Sequence, residues 1–458
     1  MQKISKQILL AIIAVVMLLP LNAAAQKLTS SVNTYSPYSM YGMGELATPG
    51  NVAMRSMGGV GVAMLSAHVV NVINPAGYAN MNRKSFIFNF GIDAGHYRNS
   101  QSKYSSGSVS NVKTAYNSVN FHEIAFQMPL AKKVGLGFSL TPYSNVGYNM
   151  YSSDLSSDIL GNVGRVQYRD YGDGDITEVK AGVGWRPFTK LSIGAAARYY
   201  WGNITRNYKT MPTDIITGSG VYSNTTGVDT YDVSNVKFQL GIQWHPILNN
   251  NRALSFGATY DFGGDLNPDM KQYVYVDNFL TSIVRDQTDA LPLRLPQQVA
   301  AGVFYQTSKI RVGVDYVYQN WGSENSDYIE GNGKGVRVAY TDTHTVKAGF
   351  EIRPRPTDVG NYLNRIAYRV GARYGDYYQT FAFSNIRQYA VTAGFGLPLQ
   401  LFGNSYIDVG FEWGMRDPVK DKINLNGQEI GLVSQNYYKL AIGLSLFGND
   451  WFRRRQFK

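Results

Sequence analysis

From residue 83 to 450 the chain alternates apolar and polar positions in short runs, the period expected where successive side chains face opposite sides of a sheet. Over 406–416 one face carries Ile407, Val409, Phe411, Trp413 and Met415, and the other Tyr406, Asp408, Gly410, Glu412, Gly414 and Arg416. Over 310–319 Ile310, Val312, Val314, Tyr316 and Tyr318 oppose Arg311, Gly313, Asp315 and Gln319. The split recurs in 366–374, with Arg369, Gly371 and Arg373 polar, and in 438–446, with Lys439, Ala441, Gly443 and Ser445 polar. Alternation and turn signals predict strands at 86–96, 116–128, 134–148, 176–187, 191–206, 235–245, 253–263, 296–306, 310–321, 343–353, 365–378, 387–397, 405–416 and 436–447. That series of fourteen is even, as single-chain bacterial barrels usually are.

A soluble sandwich also alternates, so the content of each face decides. Long apolar and aromatic side chains fill one face; Gly, Ala, Ser and single charges fill the other, which suits a lipid-facing band around a polar lumen. Tyr199, Tyr200, Trp201, Tyr318, Trp321, Tyr437 and Tyr438 fall where interfacial aromatics are expected. Closure also removes the edges that so many strands would expose. The predicted fold is an all-β transmembrane outer-membrane barrel of about 14 antiparallel strands, with an N-terminal hatch plugging the lumen. Short turns at 187–190 and 307–308 alternate with polar loops expected at 149–175, 207–234, 264–295 and 417–435; short turns belong on the periplasmic side.

Ahead of the strands, 41–82 is rich in Gly, Met and small residues, has no steady helical or strand period, and reads as no strand at all. Lys3 and Lys6, a 12-residue apolar run over 8–19, Pro20 and Ala23-Ala24-Ala25 form a secretory signal peptide too short to span a bilayer. The expected organisation is signal peptide 1–25, hatch 26–82, barrel 83–450 and a short basic tail 451–458. There is no Cys, which excludes disulfides, thiolate metal sites and lipid attachment at an N-terminal Cys. The chain is 13% aromatic, with 34 Tyr and 47 Gly, and only 16% charged, the average that alternating membrane strands produce. Its net charge of +11 loses two with Lys3 and Lys6, and the basic residues are spread along strands, which argues against nucleic acid.

The residues resemble a known group. Ser36-Pro37-Tyr38-Ser39-Met40-Tyr41-Gly42-Met43-Gly44-Glu45, Met57-Gly58-Gly59-Val60-Gly61 and Asn74-Pro75-Ala76 are similar to the N-terminal signatures of the long-chain fatty-acid transporter (FadL/TodX) family of outer-membrane proteins, in its Bacteroidetes form. Gly184-Trp185-Arg186-Pro187 with Leu191-Ser192-Ile193-Gly194, Leu295-Pro296 with Val299, Gly302 and Tyr305, and Asp315 with Trp321 extend the resemblance over nearly the whole mature chain. It implies a hatched fourteen-stranded barrel that lets hydrophobic compounds diffuse across the outer membrane, leaving sideways at a kinked third strand. No apolar groove is recognisable in the loops, and the family's ligand pocket does not map residue by residue.

Candidate sites carry two readings each. Pro142, without an N–H for the ladder, and Tyr143 are either a kink in strand three or the loop after it. Asn74, Pro75, Ala76 and Gly77 form a plug turn that either holds a gate or is structural. Arg198, Arg311, Lys347, Arg353, Arg369, Arg373, Arg416 and Lys439 are expected to face the lumen, pairing with Asp315, Glu351, Asp408 and Glu412 or receiving a ligand carboxylate.

Catalysis finds little support. The five His are scattered without metal-ligand spacing, and His122-Glu123, as strand neighbours, are expected on opposite faces. Gly172-Asp173-Gly174-Asp175 lacks the rest of a calcium loop and reads as a turn. The expectation is a non-enzymatic passive channel in the bacterial outer membrane, without cofactor or metal, whose partners are membrane lipid and a hydrophobic small molecule. The alternative is a non-transporting barrel that acts as subunit or shuttle of an outer-membrane protein assembly, for type 9 secretion or barrel insertion.

Overall fold

The computed structural model describes residues 34 and 36–448 except 67–68, 82–84, 106–107, 155–159, 161–163, 214–221, 250, 278, 288–292, 323–337, 382–383, 400–404 and 426–427. All lie in the compact unit Asn33–Lys458. The expected signal peptide and basic tail lie outside the described residues.

Fourteen strands make the wall: β1 (Phe86–Ser105), β2 (Ser108–Ala131), β3 (Val134–Asp154), β4 (Arg165–Phe188), β5 (Leu191–Thr213), β6 (Thr225–Leu248), β7 (Arg252–Asp261), β8 (Gln298–Thr307), β9 (Ile310–Gln319), β10 (Thr343–Ile352), β11 (Ala367–Phe381), β12 (Ser384–Leu399), β13 (Ser405–Pro418) and β14 (Gln428–Gly448). Each is antiparallel to its chain neighbour, and β14 returns to β1, from Phe86 opposite Gly448 to Lys103 opposite Ile430. The sheet closes on itself, so no wall strand lacks a neighbour on either side.

The two faces are inverted relative to a soluble protein. Outside, Val183, Trp185, Phe238, Leu240, Trp244, Val314, Val370, Phe395 and Phe411 are exposed. Inside, Lys180, Arg206, Asp315, Glu351, Arg369, Arg373, Glu412 and Arg416 are buried. This is the distribution of an outer-membrane barrel, which crosses lipid with strands. Among the described residues no helix is long and apolar enough to cross a membrane.

The strands outrun the sequence pattern. A transmembrane strand needs about 9–11 residues, yet β2, β4 and β6 have 24 each. Much of 149–175, 207–234 and 417–435, expected as loop, is therefore ladder. Within 264–295, Asp269–Val276 pairs with the far end of β6 and with Phe279–Gln287, carrying the sheet further. Gly172-Asp173-Gly174-Asp175 is no turn; it runs through β4 opposite 203–206 of β5.

Three of the expected interfacial aromatics point inward instead: Tyr200, Trp321 and Tyr437 are almost fully buried, whereas Tyr199 and Tyr438 are exposed. Tyr200 and Tyr437 each alternate with an outward neighbour along the strand. Trp321 lies just beyond β9, with its indole N–H donating to Gln319.

Candidate functional site

The lumen is filled by residues 36–66 and 69–80. This segment holds a 3-10 turn (Pro37–Met40), a two-residue strand (Glu45–Leu46), helix α1 (Val52–Arg55) and a second 3-10 turn (Pro75–Ala79). The strand corrects the expectation that nothing here is extended. Asn51 opens α1 by accepting from the Met54 amide, and Asn74 opens the second turn by accepting from the Ala76 amide, as short polar side chains do at such starts.

The segment makes a circuit of the lumen against a girdle of glycines. Val52 stands against Gly443 of β14 and Gly91 of β1, Ser56 against Gly410 of β13 and Gly394 of β12, and Met57 and Gly58 against Gly371 of β11 and Gly349 of β10. Val60 follows at Gly313 of β9, Val62 at Gly302 of β8 and Gly257 of β7, and Asn74 at Gly241 of β6. Pro75 meets Gly194 of β5, and Tyr78 and Ala79 meet Gly184 of β4 and Gly135 of β3. Many of these glycines are direct cross-strand partners, among them Gly349 with Gly371, Gly394 with Gly410, and Gly194 with Gly241. On β2, Gln127 donates to the Tyr78 carbonyl at 3.1 Å. All fourteen strands thus touch the segment.

Polar anchors complete the seat. Asp315 of β9 accepts from the Gly61 and Val62 amides at 2.7 and 2.9 Å. Asn74 Nδ2 donates to the Val62 carbonyl at 2.7 Å and to the Ile242 carbonyl at 3.2 Å. Lys180 Nζ donates to the Val72 carbonyl at 2.6 Å. Pro75, Ala76 and Gly77 are buried in the second 3-10 turn.

The inward charges collect into groups. Glu351 takes Arg369 at 2.7 Å, Arg353 at 2.9 Å and Arg311 at 3.4 Å, and Arg369 also holds Asp408 at 2.5 Å. Arg373 pairs with Glu412, which lies 3.7 Å from Arg55 of α1; Arg55 in turn reaches Asp93 at 3.1 Å. Arg416 and Lys439 stand 2.7 and 3.8 Å from Glu45. Burial alone would raise the Glu45 pKa, but Arg416 and Lys439, with hydrogen bonds from Arg416 and Thr34, hold it down at about 2. Asp315 stands apart from the arginines, facing Lys347 across the ladder.

Sequence reasoning missed Glu45, Arg55 and His122. A bulge sets Gly91 opposite Glu123 and Ile92 opposite Phe121, leaving His122 as the extra residue, so His122 and Glu123 are both buried rather than on opposite faces. His122 contacts Arg55 at 2.9 Å and the Gly50 carbonyl at 2.8 Å. Among the described residues no group of three or more His, Asp or Glu is placed to hold a metal.

The wall has one seam among its described pairings. β2 and β3 pair only from Ala131 opposite Val134 to Ile124 opposite Leu140. Beyond Leu140, β3 continues on β4 alone, with a bulge between Pro142 and Ser144. Proline has no N–H to give, and strand three neither ends there nor stays regular. Glu45–Leu46 lies along the edge that β2 has left, opposite Asn145 and Ser144, and the Ala47 amide donates to the Tyr143 carbonyl at 2.8 Å. Above this contact opens a cavity of about 420 Å³, lined by Pro37, Tyr38 and Tyr41, by Val112, Thr114 and Tyr116 of β2, by 148–152 of β3 and by the ends of β11, β12 and β14.

Solved structures share this architecture. A FadL homologue of Pseudomonas aeruginosa is 11% identical, with a TM-score of 0.56 over 90% of this chain and 100% of its own. The toluene transporter TodX of Pseudomonas putida is 15% identical, with a TM-score of 0.54 over 89% and 100%. The toluene transporter TbuX of Ralstonia pickettii is 14% identical, with a TM-score of 0.52 over 87% and 98%. At such identities the likeness is one of fold. No curated protein matches the sequence. The BamG family model matches residues 4–458, and the chain belongs to the BamG family.

Proposed function

We propose that the protein lets hydrophobic, fatty-acid-like compounds pass the outer membrane without an energy source, with residues 27–82 as hatch and the β2–β3 seam as lateral exit. The observation that carries this is the seam itself with the cavity beside it. Backbone at an unpaired edge is tolerated at membrane depth only where protein or a lined cavity covers it, and here the covering is 36–47 of the same chain. Solute enters the cavity from the long-loop end, reaches the Tyr38 and Tyr41 side chains, and slides between β2 and β3 when the Glu45–Leu46 strand lifts. The Pro142 and Tyr143 bulge sets where the exit begins, and Asn74, Pro75, Ala76 and Gly77 keep the rest of the hatch seated. The three solved neighbours named above, a FadL homologue and two toluene transporters, support the reading by fold.

The test uses the absence of native Cys. Leu46→Cys with Ser144→Cys pins the hatch strand to its Cα partner on β3. Influx of a hydrophobic fluorescent probe through the oxidised protein is expected to stop and to return on reduction. Equal influx in both states sinks lateral exit.

A second reading, a shut barrel serving as a subunit of an outer-membrane assembly machinery, draws on a different observation. The segment's contact with all fourteen strands suits a permanent plug, and the BamG match is compatible with it. Stoichiometric protein partners on mild-detergent extraction from native membranes, with no probe influx, would favour it over transport.

A further inference from the structure

We infer that the cavity beside the seam accepts an uncharged amphiphile, with an apolar body and a neutral hydroxyl-type head, and excludes the fatty-acid anion. This rests on reading the cavity as the substrate pocket, and it narrows the fatty-acid-like class to its uncharged members. Among the described residues that line it there is no Lys, Arg or His, and its one charge is the carboxylate of Asp170. Arg416 is bound to Glu45 and Gln435. Arg169 touches the rim, donating to Asn149 at 3.0 Å with its guanidinium over the Tyr151 and Tyr171 rings. A carboxylate drawn inward past that rim would give up its water beside Asp170, with no cation among the described lining residues, which is costly. A neutral hydroxyl needs no counter-ion, and a lining hydroxyl that already has a partner, as Thr114 has in Asn99, keeps the capacity for a further bond. The volume, about 420 Å³, lies in the range of sites that enclose one small ligand.

The experiment titrates the full-length barrel with three ligands of one chain length, dodecan-1-ol, dodecanoate and dodecylammonium, at pH 8, read as ligands bound per barrel by native mass spectrometry. Dodecan-1-ol is expected to bind at least roughly tenfold tighter than dodecanoate, given the cost of burying an unpaired carboxylate. Thr114→Lys places a cation in the lining and is expected to close that difference, whereas Val112→Trp fills the cavity and weakens the alcohol. Tighter binding of dodecanoate or of dodecylammonium to the natural protein, or unchanged selectivity in Thr114→Lys, overturns the uncharged class while the substrate pocket stands. Binding that Val112→Trp leaves untouched, or no binding of any of the three, overturns the pocket reading and this inference with it.

Discussion

Arg416 of β13 reaches across the lumen to Glu45 of the interior strand, Nη2 to Oε1 at 2.7 Å, with both side chains shut away from solvent. The pair ties the wall to the strand that covers the seam. Because the Glu45 pKa is held at about 2, below its ordinary value, the stabilisation is complete above the ordinary glutamate range. It is lost progressively as pH falls from that range down through the folded value. The covering strand is thus expected to resist protease equally at pH 7 and pH 5 and to loosen progressively below about pH 4. Glu45→Gln leaves Arg416 buried without its counter-ion, a change that costs about 3–5 kcal/mol in buried pairs. Cleavage near residue 45 at neutral pH in that variant is the readout.

The glycine girdle predicts steric intolerance at defined points. A Cβ on Gly371 would fall 2.2 Å from the Gly58 nitrogen, which is backbone and has nowhere to go. Gly371→Val is expected to unseat the segment, at about 1–3 kcal/mol or more for overpacking. Gly227 of β6 meets nothing closer than 4.0 Å, so Gly227→Ala serves as the neutral control. Hydrogen exchange at the Met57 and Gly58 amides distinguishes them: fast in the first variant, unchanged in the second.

The seam makes a prediction in covalent chemistry. Ala125 and Ser139 are ladder partners, so cysteines there are expected to cross-link on mild oxidation. Continuing the same register would place Asn120 opposite Ser144, but the pairing stops at Leu140, so Asn120→Cys with Ser144→Cys is expected to stay reduced. Efficient cross-linking of the second pair would show the strands zipped past Leu140 and remove the lateral opening.

How much of this is legible in the sequence depends on what each residue answers to. Where strands cross lipid, one face must be apolar, so the alternation of Ile407, Val409, Phe411 and Trp413 announces β13. Toward the Arg165 end of β4 the buried face carries Asp170 and Gly172 in place of long apolar side chains, so the alternation fades and Gly172-Asp173-Gly174-Asp175 reads as a turn. The inward Arg369, Arg373 and Arg416 were legible as lumen charges because strand period assigns faces. Glu45 and Arg55 were not, since the segment that carries them has no period and is shaped by the wall around it. His122 was misassigned because a bulge suspends alternation for one residue. The small-residue face was visible; that its glycines form a seat appears only when register lines them up.

Asn74 offers the sharpest discrimination between a shape and a charge requirement. Its Oδ1 accepts from the Ala76 amide while its Nδ2 donates to the carbonyls of Val62 and Ile242, so the two ends of one amide tie the second 3-10 turn to the rest of the segment and to β6. Asn74→Ala loses these bonds and a longer one to the Ala258 carbonyl, and although Gln243 still donates to the Val62 carbonyl, the buried turn loses its tie to the wall, a cost of about 1–3 kcal/mol. Asn74→Asp keeps the shape and the bond from Ala76 but turns an acceptor toward the carbonyl oxygens of Val62, Ile242 and Ala258. If the donor matters, Asp is the worse substitution although it is the closer isostere, and the melting temperatures should fall in the order Asn, Ala, Asp. The reverse order for Ala and Asp would mean that the residue serves only to start the turn, and that the segment's hold on β6 lies in packing against Gly241.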